Sequence, residues 1–428
     1  DPYSDRSIAE KLEHVLKDEN FREELKQHGL EQAKKFSWDK SAKLAIAAFE
    51  TLNAQTKHQS IIINSLQRPK LAYISPLPPA KSGIGDYSAE LLPALSHYYD
   101  IEVIVNQKDV TDPWIASNLP VRNVEWFSRN ASSYQRVLYH FGNSPFHSHM
   151  FELLKQYPGV VVLHDFFLSN VLAYEEIIKA IPSVWMNALY GSHGYHAVKM
   201  RLLDAEYTKM HYPANLEVLQ GALGIIVHSE FSKQLARKWY GRNVAVDWVV
   251  IPHLRVPVVD VDRVEARRQL NFDNDTFLVC SFGILDPVKL NHRLINAWLA
   301  SSLSSDERCI LVFVGENHGG EYGAKLLETI KRSGVAKRVR ITGWVDHTTF
   351  RQYLAAADMA VQLRTHSRGE TSGTVLDCMN YSLATIVNAH GSMAELPRDA
   401  VWMLPDEFTD DELIEALETL RKDESLRA

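Results

Sequence analysis

Hydrophobic and polar positions follow two different periods along the chain, and the change falls near residue 66. Before it, apolar residues recur at helical spacing, as at Ile8, Leu12 and Leu16, which predicts a helical segment over residues 1–66. After it, short apolar runs rich in β-branched residues alternate with helical stretches. This second pattern predicts an α/β fold for the rest of the chain.

The apolar runs after residue 66 predict strands that are buried on both faces. They form two series, at 71–75, 101–105, 137–140, 160–163, 224–227 and 248–251, and at 277–282, 310–314, 339–342, 359–363, 385–388 and 401–404. Helical stretches between consecutive strands are typical of parallel, doubly wound sheets. Pro252 and Pro257 separate the two series. We therefore expect two Rossmann-like domains, residues 67–255 and residues 256–428.

The two ends of the chain also resemble each other. Residues 406–428 align with residues 1–23 at an offset of 405 without a gap, and nine of the 23 positions are identical. Chance similarity of two acidic amphipathic helices is the alternative. The repeat predicts that residues 1–66 are the tail of a preceding, similar unit of a tandem polypeptide. We further expect residues 20–55 to pack against the α/β domains.

Composition excludes several classes of protein. The chain has 46 basic and 53 acidic residues among 428, and its formal charge of −7 argues against bulk binding to nucleic acid. It has no visible signal peptide and no apolar run near 18 residues. Cys280, Cys309 and Cys378 lack metal-ligand spacing and are expected to be buried thiols. We expect a cytoplasmic protein with at most peripheral contact to the inner face of the cytoplasmic membrane.

Polar residues gather where strands of the first series end. The turn Ser82–Tyr87 contains two glycines before a helix, which lets main-chain amides approach an anion, although a tight turn without a ligand explains it equally well. His164 and Asp165 follow the strand at 160–163 and could orient a sugar hydroxyl or serve acid–base chemistry; a structural histidine is the alternative. Asn143 follows another strand and should lie on the same rim.

The second series has a comparable group of polar residues. The loop 364–372 leads into a predicted helix at 373–381, whose amides and dipole favour an anion; a capping arrangement is the alternative. Lys289 follows the strand at 277–282 and could meet a pyrophosphate as a point charge, unless it is merely solvated.

Together these elements resemble the family-4 retaining glycosyltransferases of the GT-B fold over residues 71–428. The resemblance rests on residues 82–87, 164–165, 227–232, 282–289, 314–315 and 343–358, and most specifically on residues 368–377 with 394–397. Residues 21–52 resemble the C-terminal tail that is usual in the same family.

The resemblance implies a nucleotide-sugar donor in the cleft between two Rossmann-like domains. Glu370 would lie beside the donor sugar and His164 near its reacting end, as the catalytic pair. The implied donor-binding residues are Gly85, Lys289, Trp344, Val345, Arg368, Glu370, Ser372, Gly373, Thr374, Val375 and Asp377. The implied acceptor-side residues are Asp86, Tyr87, Asn143 and Asp165. No metal and no other cofactor is implied.

Two departures from the family pattern concern the donor site. The family usually has two glutamates separated by seven residues, whereas Glu370 and Asp377 are separated by six. The family also commonly has an arginine where Ile284 stands, so one charge contact to the diphosphate is missing. Arg364 or Arg368 could replace it.

The resemblance implies retaining transfer of a sugar to a growing polysaccharide or lipid-linked glycan, as in bacterial O-antigen and lipopolysaccharide synthesis. A mannosyltransferase that uses GDP-mannose is our first hypothesis. A sugar-nucleotide epimerase of the GT-B fold and a non-catalytic GT-B scaffold are the alternatives.

Overall fold

The computed structural model describes residues 5–33, 43, 46–47 and 68–427, except 180, 254 and 260. The chain divides into two compact units, residues 1–59 and 60–428. The predicted packing of residues 20–55 falls largely outside the described residues and stays a prediction.

The described part of the first unit consists of two helices, α1 (Asp5–Lys17) and α2 (Glu19–Ala33). Asp18 lies between them, and its carboxylate accepts a hydrogen bond from the main-chain N–H of Phe21 at 3.0 Å. The ring of Phe21 stacks on His14 with 4.3 Å between centroids. The predicted helical character is thus confirmed over these residues.

The second unit contains two parallel sheets. The first is formed by β1 (Lys70–Ile74), β2 (Asp100–Val105), β3 (Val121–Asn123), β4 (Arg136–Phe141), β5 (Val160–Leu163), β6 (Gly224–Val227) and β7 (Val249–Val250). Its strand order is β3-β2-β1-β4-β5-β6-β7, and every neighbouring pair is parallel. Each of the six strands predicted for this region is present.

The second sheet is formed by β8 (Phe277–Phe282), β9 (Cys309–Val314), β10 (Val339–Ile341), β11 (Met359–Gln362), β12 (Ala384–Asn388) and β13 (Trp402–Leu404). Its order, β10-β9-β8-β11-β12-β13, repeats the winding of the first sheet, again with parallel neighbours only. All residues of β8 and β9 are buried, as continuous apolar runs predict. The predicted α/β fold class with two doubly wound domains is confirmed.

Helices cover the faces of both sheets. In the first domain they are α3 (Gly83–Leu95), α4 (Pro113–Asn118), α5 (Val124–Asn130), α6 (Met150–Gln156), α7 (Ser169–Ile177), α8 (Val184–Leu203), α9 (Ala205–His211), α10 (Leu216–Gly221) and α11 (Glu230–Tyr240). In the second they are α12 (Arg263–Gln269), α13 (Asn291–Ala300), α14 (Glu321–Arg332), α15 (His347–Ala356), α16 (Gly373–Asn380), α17 (Asp410–Lys422) and α18 (Glu424–Arg427). The helix that we expected near Tyr87 begins earlier, at Gly83.

The sequence repeat has a counterpart in the helix boundaries. Asp410–Lys422 and Asp5–Lys17 coincide at the offset of 405, and the next helix begins at Glu424 and at Glu19, again at that offset. Two segments with one pattern of nine identities therefore also share their local structure.

Each sheet reverses its winding at one pair of neighbouring strands, β1 and β4 in the first and β8 and β11 in the second. A crevice opens beyond the carboxyl ends of the strands at such a point, and ligands bind there in open α/β sheets. The turn before α3 and the loop at Asn143 follow β1 and β4, while Lys289 and the loop 364–372 follow β8 and β11. The fold thus places these predicted site residues at its two switch points, while His164 and Asp165 follow the neighbouring strand β5.

The cysteines agree with the expectation from the sequence. Cys280, Cys309 and Cys378 are free and buried. In the described ranges, no helix combines the length and the apolar character needed to cross a membrane.

Candidate active site

The two domains meet through the donor loop, which we define as residues 364–372. The main-chain N–H groups of Phe166 and Phe167 donate to the carbonyl of Arg368 at 2.9 and 3.1 Å. The hydroxyl of Ser232 donates to the carbonyl of Gly369 at 2.9 Å. Gly369 has a φ of +89°, and a Cβ at this position would collide with Phe166. The donor loop of one domain is therefore docked on the residues that follow His164-Asp165 in the other.

A second contact between the domains lies beside the donor loop. The carboxylate of Glu395 accepts from the main-chain N–H groups of Phe231 at 2.6 Å and Glu230 at 3.0 Å. These amides begin α11 and would otherwise lack acceptors, and a carboxylate there also suits the helix dipole. The segment 394–397 thus joins the domains at the cleft.

Glu370 is held in place by its own loop. Its Oε2 accepts from the main-chain N–H of Arg368 at 2.6 Å and lies 3.4 Å from the hydroxyl of Ser367. Its carbonyl accepts from the hydroxyl of Ser392 at 2.8 Å. These bonds orient the carboxylate and hold it in the half-buried space near the domain interface.

Asp165 is a second carboxylate in this space. It accepts from the main-chain N–H of Asn143 at 2.8 Å. Burial, followed by the negative charge of Glu370, raises the pKa of Asp165 to about 6. The side-chain oxygen of Asn143 in turn accepts from the amides of Asn170 and Val171 at the start of α7. The predicted neighbours Asn143 and Asp165 are thus directly bonded, and both lie at the cleft.

Lys289 is the last residue of a 3₁₀ turn, Pro287–Lys289. The side chain of Asp286 caps this turn by accepting a hydrogen bond from the main-chain N–H of Val288 at 3.0 Å. Gly283 has a φ of +97°, and a Cβ at this position would lie only 2.7 Å from Nζ of Lys289. Because glycine has no Cβ, the ammonium group of Lys289 fits beside it. Among the residues that the structure describes, none is hydrogen-bonded or ion-paired to this Nζ. Burial, and then the charge of Arg364, lower the pKa of Lys289 to about 7.

The start of α16 lies next to Lys289. The methyl group of Thr374 is 3.7 Å from the same Cβ position at Gly283. No side chain caps this helix; the hydroxyl of Ser372 lies 3.2 Å from that of Thr374 instead, and Val375 is buried. The first amides of α16 therefore remain as donors beside an unpaired lysine, and this is the arrangement that binds an anion.

Asp377 does not point to open solvent. Its Oδ1 accepts from Nε of Arg255 at 2.6 Å, and both side chains are largely buried. Burial raises the pKa of Asp377. Sequence reasoning placed Arg255 only in the linker between the domains, because its partner lies 122 residues away.

The turn before α3 and the first turn of that helix face the second domain. Gly85 is buried against the main chain of Leu77. Asp86 lies 3.6 Å from Nε2 of His347, and Nζ of Lys81 lies 4.5 Å from the ring centroid of Trp344.

Two of the implied donor-binding residues, Trp344 and Val345, differ in exposure. Trp344 is 59% exposed, while Val345 packs against the core of the second domain. Trp344 thus presents an exposed aromatic ring next to Lys81 of the first domain.

His164 belongs to a buried chain of three imidazoles. Its Nε2 lies 2.9 Å from Nδ1 of His140, and its Nδ1 lies 3.1 Å from Nε2 of His228. Nδ1 of His228 donates to the carbonyl of Ile251 at 2.8 Å. Since a carbonyl only accepts, each neutral imidazole must donate from Nδ1 and accept at Nε2. The ring of Tyr87 covers this histidine chain, with its centroid 5.0 Å from that of His164.

The histidine chain is neutral, because burial lowers the pKa of all three imidazoles and brings that of His228 to about 4. Both ring nitrogens of His164 are therefore occupied, and neither is free to take a proton from a substrate in this state. Sequence reasoning did not assign His140 or His228 to the site. His140 is the last residue but one of β4, and His228 directly follows β6 within the segment 227–232 that carries the family resemblance.

None of the described residues form a group of three or more histidine, cysteine or acidic side chains that could hold a metal ion. In the described part of the cleft, the polar groups are the unpaired Lys289, helix amides, arginines and several carboxylates, among them Glu370 and Asp165. This set suits a ligand with a diphosphate and several hydroxyl groups.

Comparison with known protein families gives a match over part of the chain. Residues 262–428 match the family model for glycosyl transferases group 1, and this range includes Lys289, the donor loop and α16. No curated protein sequence matches the chain significantly.

Several solved structures share the fold. The structure of Alr3699/HepE from Anabaena in complex with UDP and glucose has a TM-score of 0.60 and 16% identity, over 84% of this chain and 92% of that one. WaaG, a glycosyltransferase involved in lipopolysaccharide biosynthesis, has a TM-score of 0.56 and 15% identity, over 84% and 91%. The sucrose-phosphate synthase tll1590 from Thermosynechococcus elongatus has a TM-score of 0.54 and 16% identity, over 84% and 91%.

The family match supports a glycosyltransferase domain over residues 262–428, whereas the solved structures, at 16% identity or less, show the fold alone. The chain has the GT-B fold, and its residues 262–428 match the model of glycosyl transferases group 1.

Proposed function

We propose that this protein is a retaining glycosyltransferase, similar to family 4, that moves a sugar from a nucleotide-sugar to a glycan or lipid-linked glycan. The observation that carries the proposal is the uncapped start of α16 beside the unpaired ammonium of Lys289. Both sit at the switch point of the domain that matches the family model.

The physical task of the site is to stabilise a departing nucleoside diphosphate. Negative charge grows on the phosphate oxygens as the bond to the sugar breaks. Preformed donors that meet this charge lower the barrier without having to reorganise. Lys289 and the first amides of α16 are such donors, and Glu370 faces the positive charge that develops on the sugar.

Retention of configuration can follow a front-face route. The acceptor hydroxyl attacks from the side that the diphosphate leaves, and the leaving phosphate takes its proton. Glu370 and Asp165 already accept hydrogen bonds from their own surroundings, which favours an orienting and electrostatic role over that of a nucleophile. His164 shapes the site from the histidine chain, where neither ring nitrogen is free.

GDP-mannose is the first donor to test, because of the resemblance to bacterial mannosyltransferases. UDP-glucose is the second, because a structural neighbour was solved with it. The set of polar groups in the cleft leads us to propose that transfer needs no metal, so a chelator should leave the activity unchanged.

A donor screen tests this function. Purified protein is mixed with GDP-, UDP- and TDP-sugars, with and without glycan acceptors, while nucleotide release and the anomeric configuration of the product are followed. We expect release that depends on the acceptor and a product with the donor's configuration. Release without any acceptor would indicate the epimerase or hydrolase alternative, and binding of no donor would indicate a scaffold.

A further inference from the structure

Arg255 enters the donor site from the linker between the domains. Its Nη2 occupies the space that a Cβ on Gly373 would take, so the guanidinium lies against the first residue of α16. Its Nε is bonded to Asp377 at 2.6 Å. Its Nη1 is buried and has no acceptor among the residues that the structure describes.

These contacts leave one edge of the guanidinium unused. Asp377 engages Nε through a single oxygen, Oδ1, and thereby fixes the plane of the group. Nη1 and Nη2 remain next to the free amides of α16. A planar fork of N–H donors matches two oxygens of a phosphate, which a single ammonium cannot do.

The site otherwise has few fixed positive charges. The residue after Gly283 is Ile284, an apolar side chain that is 60% exposed. Lys289 lies on the other side of Gly283 and loses part of its charge near neutral pH, because burial lowers its pKa to about 7. A donor diphosphate carries two negative charges, so one partly charged lysine leaves it incompletely balanced.

We propose that Arg255 binds the donor diphosphate through Nη1 and Nη2 at the start of α16, and that Asp377 positions it. This inference rests on the proposed function and names a residue of the same site. Asp86 and Glu90 on α3 and Arg351 on α15 also act on this region electrostatically. Glu90 is engaged by the main-chain N–H of Val256 at 3.2 Å.

Two other assignments compete with this one. Arg255 could serve only as an ion pair that ties the linker to α16. Alternatively, Arg364 could supply the charge, since it lies close enough to Lys289 to lower its pKa. The three assignments differ in which variant loses affinity for a diphosphate.

Calorimetry separates them. We would measure the binding of UDP, GDP, UMP and GMP to the full chain and to R255Q, R351Q and R364Q. R351Q removes a positive charge from the same region at an exposed position and serves as the matched control. We expect R255Q to weaken the better-bound diphosphate about tenfold to a hundredfold, with a clearly smaller effect on the monophosphate. R351Q should stay within about twofold, because an exposed charge is screened.

Failure of the Arg255 assignment and failure of the proposed function give different binding results. If the wild-type chain binds the diphosphate and R255Q binds it equally well, Arg255 has no such role, while the proposed function stands. If R364Q alone loses the affinity, Arg364 is the diphosphate cation instead. If the wild-type chain binds no nucleotide, the proposed function fails and this inference fails with it.

Two further variants guard against loss of folding. R255K keeps the charge but not the fork, and we expect an affinity between those of the wild type and R255Q. Adding I284R to R255Q places an arginine on the other side of the anion site, and recovery of about tenfold in diphosphate affinity would support the role of charge. Wild-type affinity in both R255K and R255Q, each with an unchanged melting temperature, would overturn the proposal.

Discussion

Glu370 is the residue whose local bonds best suit a catalytic contact. Its carboxylate is oriented by Arg368 and Ser367. We predict that E370Q lowers kcat about a hundredfold to a thousandfold, because the charge that stabilises the transition state is lost. Affinity for the free nucleoside diphosphate should change little.

Steady-state kinetics and calorimetry check this prediction, with the melting temperature as the control for folding. Wild-type turnover in a folded E370Q variant would show that Glu370 does not act on the reacting sugar. If E370Q lost its affinity for the free nucleoside diphosphate, Glu370 would contact the leaving group instead of the sugar.

Lys289 should make donor binding depend on pH. Its pKa is lowered to about 7, mainly by burial, so the free protein carries the full charge only below that pH. A bound diphosphate favours the charged form, so binding above this pH must take up a proton. We predict that donor affinity falls up to about tenfold per pH unit as pH rises above 7.

Calorimetry from about pH 6 to about pH 9 with an intact nucleotide-sugar measures this slope, since such a donor has no phosphate group that titrates near neutrality. K289A is the control. Its donor affinity should be lower at every pH, and the fall in affinity that begins above pH 7 should disappear. An unchanged slope in K289A would assign the titration to another group.

At the scale of the elements, α12 is joined to the second sheet by a buried arginine. Arg267 is 2% exposed and donates to Asp358 at 2.7 Å and to the carbonyls of Ala356 and Thr276 at 3.0 and 2.9 Å. We predict that R267A lowers the free energy of unfolding by about 3–5 kcal/mol, because Asp358 and several carbonyls lose a buried partner.

Urea unfolding provides the measurement. Arg268 is the matched control, since it follows Arg267 on the same helix, is 73% exposed and pairs only with Glu265 at its surface. R268A should change the free energy of unfolding by no more than about 0.5 kcal/mol. Equal effects of the two substitutions would contradict the structural role of Arg267.

At the scale of the whole molecule, the docking of the donor loop on the first domain should control activity. Gly369 and Gly334 both have positive φ values, +89° and +74°, so an alanine at either position carries backbone strain of about 1–2 kcal/mol. Only the alanine at 369 would also strike Phe166, because nothing lies within 4 Å of a Cβ at 334.

We predict that G369A loses about a hundredfold in kcat/KM, because small displacements of reacting groups are costly, whereas G334A keeps its activity. Small-angle scattering should also show a wider separation of the domains in G369A. Equal activity of the two variants would mean that transfer does not need this contact between the domains.

Much of the architecture follows from the sequence alone. All twelve predicted strands exist, because continuous apolar runs between helices have no other stable place than a parallel sheet covered on both sides. β3 was missed, since its three residues are half-buried or exposed at the sheet edge and carry no apolar run. Lys289, Glu370 and the start of α16 were predicted to share a site because each belongs to a local pattern at the end of a strand.

Contacts between distant residues are what only the tertiary structure decided. The pairing of Arg255 with Asp377 joins positions 122 residues apart, and the link between His164 and His228 spans 64. Neither pairing can be predicted from the local sequence, because an arginine in a linker and a histidine after a strand are common on any surface. Burial in the folded protein also sets the charge of the site residues. It keeps the histidine chain neutral and lowers the pKa of Lys289. The sequence by itself therefore determined which elements form and which groups end them, while the packing of two domains decided which of those groups meet and in what charge state.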